Sequence, residues 1–382
     1  MLALTILAAL PLAVWLYLFA LRGGFWRMRD IGAPPHSAPA SPRVVAVIPA
    51  RNEAPVVAQA IASLAAQQYP GELSIVLVDD HSSDATAAQA HSAAPPDRLT
   101  VVAADPLPAG WTGKLWAVSC GLRAASALNP DYILLTDADI VHAPASLAGL
   151  VARAELEPCD LVSYMVRLAC RTPAERLLIP AFVFFFFLLY PPAWISDPRR
   201  SIAGAAGGCI LVRRSMLDRI DGVSSIRDAL IDDCALAAAV KRAGGRVWLG
   251  LSADTSSIRS YATFCEIGRM ISRSAFTQLR YSAWLLAGTV AGMALTYLAP
   301  PILTFAARGS AATMALAAWL LMSLCYLPVL RLYRRPWIEA PLLPLVALFY
   351  SGATLHSAFA WWRGKGGEWK GRTQTVRPKP AG

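Results

Sequence analysis

Val44-Val45-Ala46-Val47-Ile48-Pro49-Ala50-Arg51-Asn52-Glu53 holds the pattern from which the architecture follows. The β-branched run 44–48, bounded by Pro42 and Pro49, reads as a buried strand, and a helix over 54–68 is expected after it. The alternation repeats downstream: strand 73–78, helix 85–91, strand 99–102, helix 115–126 and strand 132–136. Strands alternating with helices predict an α/β fold with a mostly parallel sheet covered by helices on both faces. In such sheets ligands bind beyond the carboxyl ends of the strands. Polar and acidic residues gather at those ends: Arg51-Asn52-Glu53, Asp79-Asp80 and Asp137-Ala138-Asp139.

Upstream of this domain, 32–42 carries Pro34, Pro35, Pro39 and Pro42, which cannot hold a helix, so 22–42 reads as a linker. The apolar run Leu2 to Leu21 has the length of about 20 residues that a hydrocarbon core of roughly 30 Å requires. Arg22, Arg27 and Arg29 follow it, so the positive-inside rule puts residues 1–21 as a membrane anchor with the domain in the cytoplasm. Composition agrees: 56% hydrophobic and 16% charged residues depart from the about 45–50% and about 25% of soluble proteins.

The domain is expected over 43–281, followed by a membrane region over 282–362 with apolar runs at 282–307, 311–330 and 338–362. Three full spans would leave the basic tail 363–382 outside, against the positive-inside rule. Breakage of the last run by Pro341 and Pro344 into a re-entrant or interfacial piece is one resolution. Residues 177–194, with Pro180, Pro191 and Pro192, read as an interfacial helix, with a buried core helix as the alternative. The tail holds Arg363, Lys365, Lys370, Arg372, Arg377 and Lys379 against Glu368, out of a net charge of +10 for the 382 residues. Such a tail suits anionic headgroups. No base-stacking module suggests nucleic acid. Seven scattered cysteines and five scattered histidines outline neither a disulfide framework nor a zinc site.

Thr136-Asp137-Ala138-Asp139 is the central chemical feature. Two carboxylates two positions apart at a strand end would point the same way and hold a divalent cation, since hard ions prefer oxygen. Such aspartates also cap helices. Asp79-Asp80 ends another strand and offers carboxylates to a base or a ribose, while Ser82 to Asp84 reads as a helix cap. Pro49 and Glu53 can border a nucleotide, or mark a helix start. Gly113-Lys114 opens a helix where an ammonium suits a diphosphate, or sits in solvent. Gly207-Gly208 permits close backbone approach, or marks a bulge, before an apolar strand. Asp232-Asp233 begins an Ala-rich helix, where acids also favour the dipole.

Taken in order, Pro-Ala-Arg-Asn-Glu, Asp-Asp-His-Ser-Ser-Asp, Gly-Lys, Asp-Ala-Asp, Gly-Gly-Cys and Ile-Asp-Asp resemble the family 2 glycosyltransferases over about 44–280. Flanking apolar segments and Trp369-Lys370-Gly371-Arg372 make the chain most similar to the hopene-associated, hopanoid-biosynthesis members. The resemblance implies a GT-A type, Rossmann-like fold and an inverting transfer from a nucleotide-sugar, expected to be a UDP-sugar, to a membrane lipid. It implies that Glu53, Asp79 and Asp80 hold the nucleotide with Pro49, Lys114, Gly207 and Gly208 around it. Asp139, helped by Asp137, would hold Mg2+ or Mn2+. Asp233, beside Asp232, would be the general base, and Arg273 would steady the diphosphate. Processive members carry Gln-X-X-Arg-Trp, whereas Met270-Ile271-Ser272-Arg273-Ser274 keeps only the arginine, which argues for a single transfer. A polysaccharide synthase and a non-enzymatic scaffold on a degenerate fold are the competing expectations.

Overall fold

The computed structural model describes residues 2–28, 41–364, 366–370 and 372–373. The central part of the linker and the tail beyond Thr373 lie outside the described residues. Along the chain, α1 (Leu2–Leu21) is followed by β1 (Val44–Ala50), α2 (Val57–Ala65), β2 (Leu73–Asp79), α3 (Thr86–His91), β3 (Leu99–Ala103), α4 (Gly113–Ser126), β4 (Tyr132–Thr136), β5 (Ile140–His142), α5 (Ser146–Leu156) and β6 (Leu161–Arg167). Next come α6 (Pro173–Leu189), α7 (Pro192–Ile195), β7 (Cys209–Arg213), α8 (Arg214–Arg219), α9 (Asp232–Arg242) and β8 (Val247–Ser257). The chain continues through α10 (Phe264–Gln278), α11 (Ala283–Met293), α12 (Ala299–Ala306), α13 (Ser310–Leu332), α14 (Leu343–Trp362), β9 (Glu368–Trp369) and β10 (Arg372–Thr373). A π-helical stretch, Ala294–Leu298, joins α11 to α12.

Two compact units share these elements. One comprises Asp30–Ala169, Trp194–Arg259 and Glu368–Gly382; the other comprises Met1–Arg29, Cys170–Ala193 and Ser260–Gly367. The contiguous domain expected over 43–281 is therefore divided: 170–193 and 260–281 belong with the apolar helices, while β9 and β10 join the sheet-bearing unit. Local hydropathy could not signal this exchange, because it depends on which segments pair.

The first unit is built on an eight-stranded sheet of order β3-β2-β1-β4-β7-β6-β8-β5. The strands foreseen from the sequence are parallel neighbours, with Val44 opposite Leu73 on one side and Tyr132 on the other. Past β4 the sheet is mixed, since β7 runs antiparallel to both β4 and β6, and β5 runs antiparallel to β8. Every residue of β1 and β4 is buried, as a strand covered on both faces requires. Ala46 and Ile48 join Ile61 and Leu64 of α2 in one core. On the opposite face α4 lies so close that a Cβ on Gly121 would fall 2.4 Å from Val47 Cγ1 and 2.9 Å from Val78 Cγ2. Helix α2 starts at Val57 rather than at 54, because the amides of Val56 and Val57 are taken by the Glu53 carbonyl in a preceding turn.

In the second unit five helical segments are long and apolar enough to cross a membrane: Leu2–Leu21, Pro173–Ile195, Ala283–Ala306, Ser310–Leu332 and Trp337–Trp362. Ala8 of α1, Leu303 of α12, and Ala311 and Ala315 of α13 form a shared cluster. Small residues allow the close helix approach that replaces the hydrophobic effect inside lipid. The segment 177–194, expected as an interfacial helix, falls in α6 and α7.

Candidate functional site

The sheet directions collect the chemistry at one edge. β1, β2, β4 and β8 all end there, and antiparallel β7 begins there, so Glu53, Asp80, Asp137, Arg259 and Gly207 approach one another from loops distant in sequence. The loops after β1 and β2 lock together. Asn52 and His81 both take left-handed backbone, with φ of 52° each. The Asn52 amide donates to Ser82 Oγ at 3.0 Å, and the Ser83 amide donates to Asn52 Oδ1 at 2.8 Å. Asp84 accepts from the amides of Ala54 and Thr86 just before α3, whose N-cap position is Ala85 without a side-chain cap bond. Asp79 Oδ1 closes a turn by accepting from the Ser82 amide at 3.2 Å. Asp80 is buried, with Arg51 Nη1 3.7 Å from its carboxylate.

Beside these loops lies an open pocket. Pro49, Lys114, Asp137, Gly207, Asp232 and Asp233 line it, over an apolar floor that includes Leu115, Leu135 and Leu236. Thr112 caps α4 by accepting from the Leu115 amide, which sets Lys114 in the first turn. Lys114 Nζ bridges Asp137 Oδ1 and Asp232 Oδ2, each at 3.0 Å. Burial alone would lower the lysine pKa, but the charges of Asp137, Asp232 and Asp233 override it and hold the ammonium well above its ordinary range. Asp233 is fixed by two backbone donors, Gly207 N to Oδ2 at 2.8 Å and Cys234 N to Oδ1 at 2.7 Å. Withdrawal from water, then the charge of Asp232, push its pKa up to about 6; Lys114 and the two amides hold it from rising further. A Cβ on Gly207 would stand 3.3 Å from Asp233 Oδ2, so the glycine keeps the pocket wall at contact distance.

A second cluster centres on Arg259. Its Nη2 donates to both oxygens of Glu53 at 2.7 Å, and its Nε donates to Asp139 Oδ2 at 3.0 Å. Ser257 Oγ also donates to Asp139 Oδ2, at 2.9 Å. Lys370 Nζ lies 2.8 Å from Glu53 Oε1 and donates to the Asn52 carbonyl at 3.3 Å. Arg51 Nε in turn donates to the Lys370 carbonyl at 3.3 Å. The tail residue expected to meet headgroups thus sits against the β1 loop, because the hairpin of β9 and β10 brings it there.

Asp137 and Asp139 do not extend β4, contrary to the expectation that strand alternation aligns them. They occupy a turn closed by the Ile140 amide on the Asp137 carbonyl at 3.2 Å, and each carboxylate takes its own cation. Among the described residues no group of three His, Cys, Asp or Glu side chains is arranged to hold a metal ion. Thr136, just before the turn, donates to the Gly208 carbonyl at 2.8 Å and lies 3.0 Å from His142 Nε2. Burial lowers the His142 pKa to about 4, so the ring is neutral; with the threonine hydrogen spent on Gly208, Nε2 carries the hydrogen and donates. Gly208 leaves room for Val166 and Ile140, which would meet a Cβ at 3.1 and 3.2 Å.

The structure brings Pro49, Lys114, Asp137, Gly207, Asp232 and Asp233 to one pocket and joins Glu53 to Asp139 through Arg259. Arg273 it places on α10, in the unit of apolar helices. Arg259, Lys370, His142 and Ser257 were missed by sequence reasoning. The one available signal was charge: Arg259 is a lone cation directly after a strand, and Lys370 stands in the Trp-Lys-Gly-Arg string.

Residues 45–221 match the model of Glycosyl transferase family 2. Among solved structures, the fold is similar to that of a mannosyltransferase from Pyrobaculum calidifontis, determined in complex with GDP-Man and Mn2+, at 20% identity and a TM-score of 0.59; the match covers 93% of this chain and 98% of that one. A glucosyl-3-phosphoglycerate synthase from Mycobacterium tuberculosis, determined with Mn2+, UDP-Glc and phosphoglyceric acid, matches at 18% identity and a TM-score of 0.43, covering 66% of this chain and 86% of that one. No curated protein matches the sequence significantly. Residues 45–221 are therefore similar to glycosyl transferase family 2, on a mixed α/β sheet of the GT-A type.

Proposed function

We propose that this protein is an inverting, membrane-embedded glycosyltransferase that moves one sugar from a nucleoside diphosphate donor to a lipid acceptor, of hopanoid type by the sequence resemblance, on the cytoplasmic face of the inner membrane. The observation that carries the reading is Asp233, fixed by two amides at the wall of the pocket where Lys114 gathers Asp137 and Asp232. Five apolar helices in the same chain supply the membrane setting. The missing tryptophan after Arg273 favours one transfer over polymerisation.

In this reading each Asp233 oxygen keeps a lone pair beyond its backbone bond and accepts the proton of the acceptor hydroxyl. The hydroxyl oxygen bonds to the anomeric carbon as the bond from that carbon to the diphosphate oxygen breaks, and the diphosphate leaves with the electron pair. Lys114 stands in the pocket to meet the charge that develops on the leaving group. Glu53, held by Arg259 and Lys370, and Asp80 border the nucleotide. A divalent ion fits the oxygen donors Asp137 and Asp139, since Mg2+ or Mn2+ commonly uses one or two carboxylates and takes its remaining ligands from phosphates and water. When bound, it would neutralise diphosphate charge.

The test is to incubate purified protein with UDP- and GDP-sugars, Mn2+ or Mg2+, and membrane lipid extracts, reading products by mass spectrometry. One hexose mass added to a lipid is expected. A ladder of additions would instead mean a synthase, and no donor consumption or nucleotide binding under any condition would overturn the enzymatic reading.

A further inference from the structure

We infer that α6 and α14, although apolar and long enough to span, do not cross the bilayer but embed in the leaflet on the catalytic side, leaving α1, the α11–α12 segment and α13 as the spanning helices. The inference rests on the proposed membrane setting and extends it to a topology.

Connectivity constrains the count first. β7 follows α6 in sequence yet is hydrogen-bonded to β4, which precedes it, with Thr136 opposite Cys209. Residues before and after α6 therefore lie on one side of any membrane, and a single crossing between them is impossible. The same reasoning applies farther along. Arg259 and Lys370 both pair with Glu53, so an even number of crossings separates them. Three apolar segments lie in that interval, hence at least one of them does not cross.

Packing against α10 identifies which. This helix is amphipathic: Ile267, Ile271 and Phe276 are buried, while Arg269 and Arg273 are exposed. α14 runs along its whole length. Phe349 meets Phe264 with ring centroids 6.2 Å apart, Trp361 meets Phe276 at 5.7 Å, and Ser357 Oγ accepts from the Phe276 amide at 3.1 Å. Drawing this part of α14 into the hydrocarbon would take the α10 arginines with it, which is strongly unfavourable. The remainder, 337–348, is about 12 residues and roughly 21 Å long with its 3-10 turns counted, against a hydrocarbon thickness of roughly 30 Å. It also begins as a 3-10 helix containing Pro341.

α6 lies along α10 as well. Buried Glu175, in its first turn, accepts from Ser260 Oγ at 2.9 Å and the Tyr261 amide at 2.5 Å, while Tyr190, at its end, accepts from Gln278 Nε2 at 2.8 Å. Arg22, directly after α1, donates to the carbonyls of Leu188 and Leu189 at 3.1 and 3.3 Å. The last turn of α6 thus sits at the end of α1 that leads into the catalytic unit. Both ends of the helix consequently belong to one membrane face.

Charge complements geometry. Arg171 and Arg199 flank α6–α7, and Arg334, Arg335 and Arg363 flank the last helix, so both flanks suit anionic headgroups on one side. With the assigned spans, the outer loop 307–309 holds only Arg308, whereas any other choice of two spans exports Arg334 and Arg335.

The test is labelling with a membrane-impermeant maleimide, using the full chain with Cys170 and Cys265 replaced by serine and single substitutions at exposed sites. Arg308→Cys is expected to label on intact cells. Arg171→Cys, Arg199→Cys, Arg334→Cys and Arg363→Cys are expected to label only after the membrane is opened. Labelling of positions 334 and 363 from opposite faces overturns the assignment of α14, and opposite labelling of 171 and 199 overturns that of α6. A reporter fused after Gly382 reads the same parity without any substitution: fluorescence of a cytoplasmic reporter is expected, and activity of an exported phosphatase would overturn the proposal. Release of the protein by alkaline carbonate would instead refute the membrane setting itself, separately from the topology.

Discussion

The setting of Asp233 opposes the role proposed for it. Its folded pKa of about 6 lies above the ordinary carboxylate value, so the folded protein binds this proton more tightly than the unfolded chain does. The stability contributed by the group is complete below the ordinary value of 3.8 and is lost as pH rises through about 6. The proposed catalysis runs the other way, since only the ionised form would accept a proton. Transfer is expected to fall about tenfold per pH unit below about 6, visible in a kcat against pH profile. Asp233→Asn should lose at least 100-fold in kcat while nucleotide binding, measured by calorimetry, is kept. In the proposed reading Lys114 and Lys370 act on donor binding. Lys114→Met leaves Asp137 and Asp232 without their shared cation, and the Kd for UDP or GDP with Mn2+ is expected to rise at least tenfold. Lys370→Ala should raise it by less, roughly threefold to tenfold, and Lys370→Arg should restore it, because Arg259 continues to hold Glu53.

Among elements, the seating of α4 on β1 and β2 has the least tolerance. Gly121 faces Val47 and Val78 with no space for a methyl group, so Gly121→Val should destabilise the sheet-bearing unit by about 1–3 kcal/mol, read as a melting temperature several degrees lower. Because α4 also presents Lys114, donor binding should weaken in the same variant. The locked loops after β1 and β2 were partly legible beforehand: Ser82 to Asp84 read as a cap, and Asp84 does hold the Ala54 and Thr86 amides. The Asp-Ala-Asp pair was misjudged in geometry. Strand periodicity ends at Thr136, and in the turn that follows each carboxylate is oriented by its own partner, Lys114 or Arg259.

For the whole molecule, the two candidate metal carboxylates are each paired with a cation, and a divalent ion would have to compete with Lys114 and Arg259 for them. Chelation with EDTA is therefore expected to weaken nucleoside diphosphate binding at least tenfold while leaving the melting temperature of the nucleotide-free protein unchanged; an equal Kd with and without chelator would refute a metal role. The sequence by itself determined the strand–helix alternation from Val44 to Thr136, the acids at strand ends and the apolar helices, because all of these are written in local periodicity and composition. Only the tertiary structure decided that Arg259 clasps Glu53 across 206 residues and that Lys370 reaches the Asn52 loop across 318. Strand order sets those meetings, and strand order is a property of pairing between distant segments that no local pattern encodes.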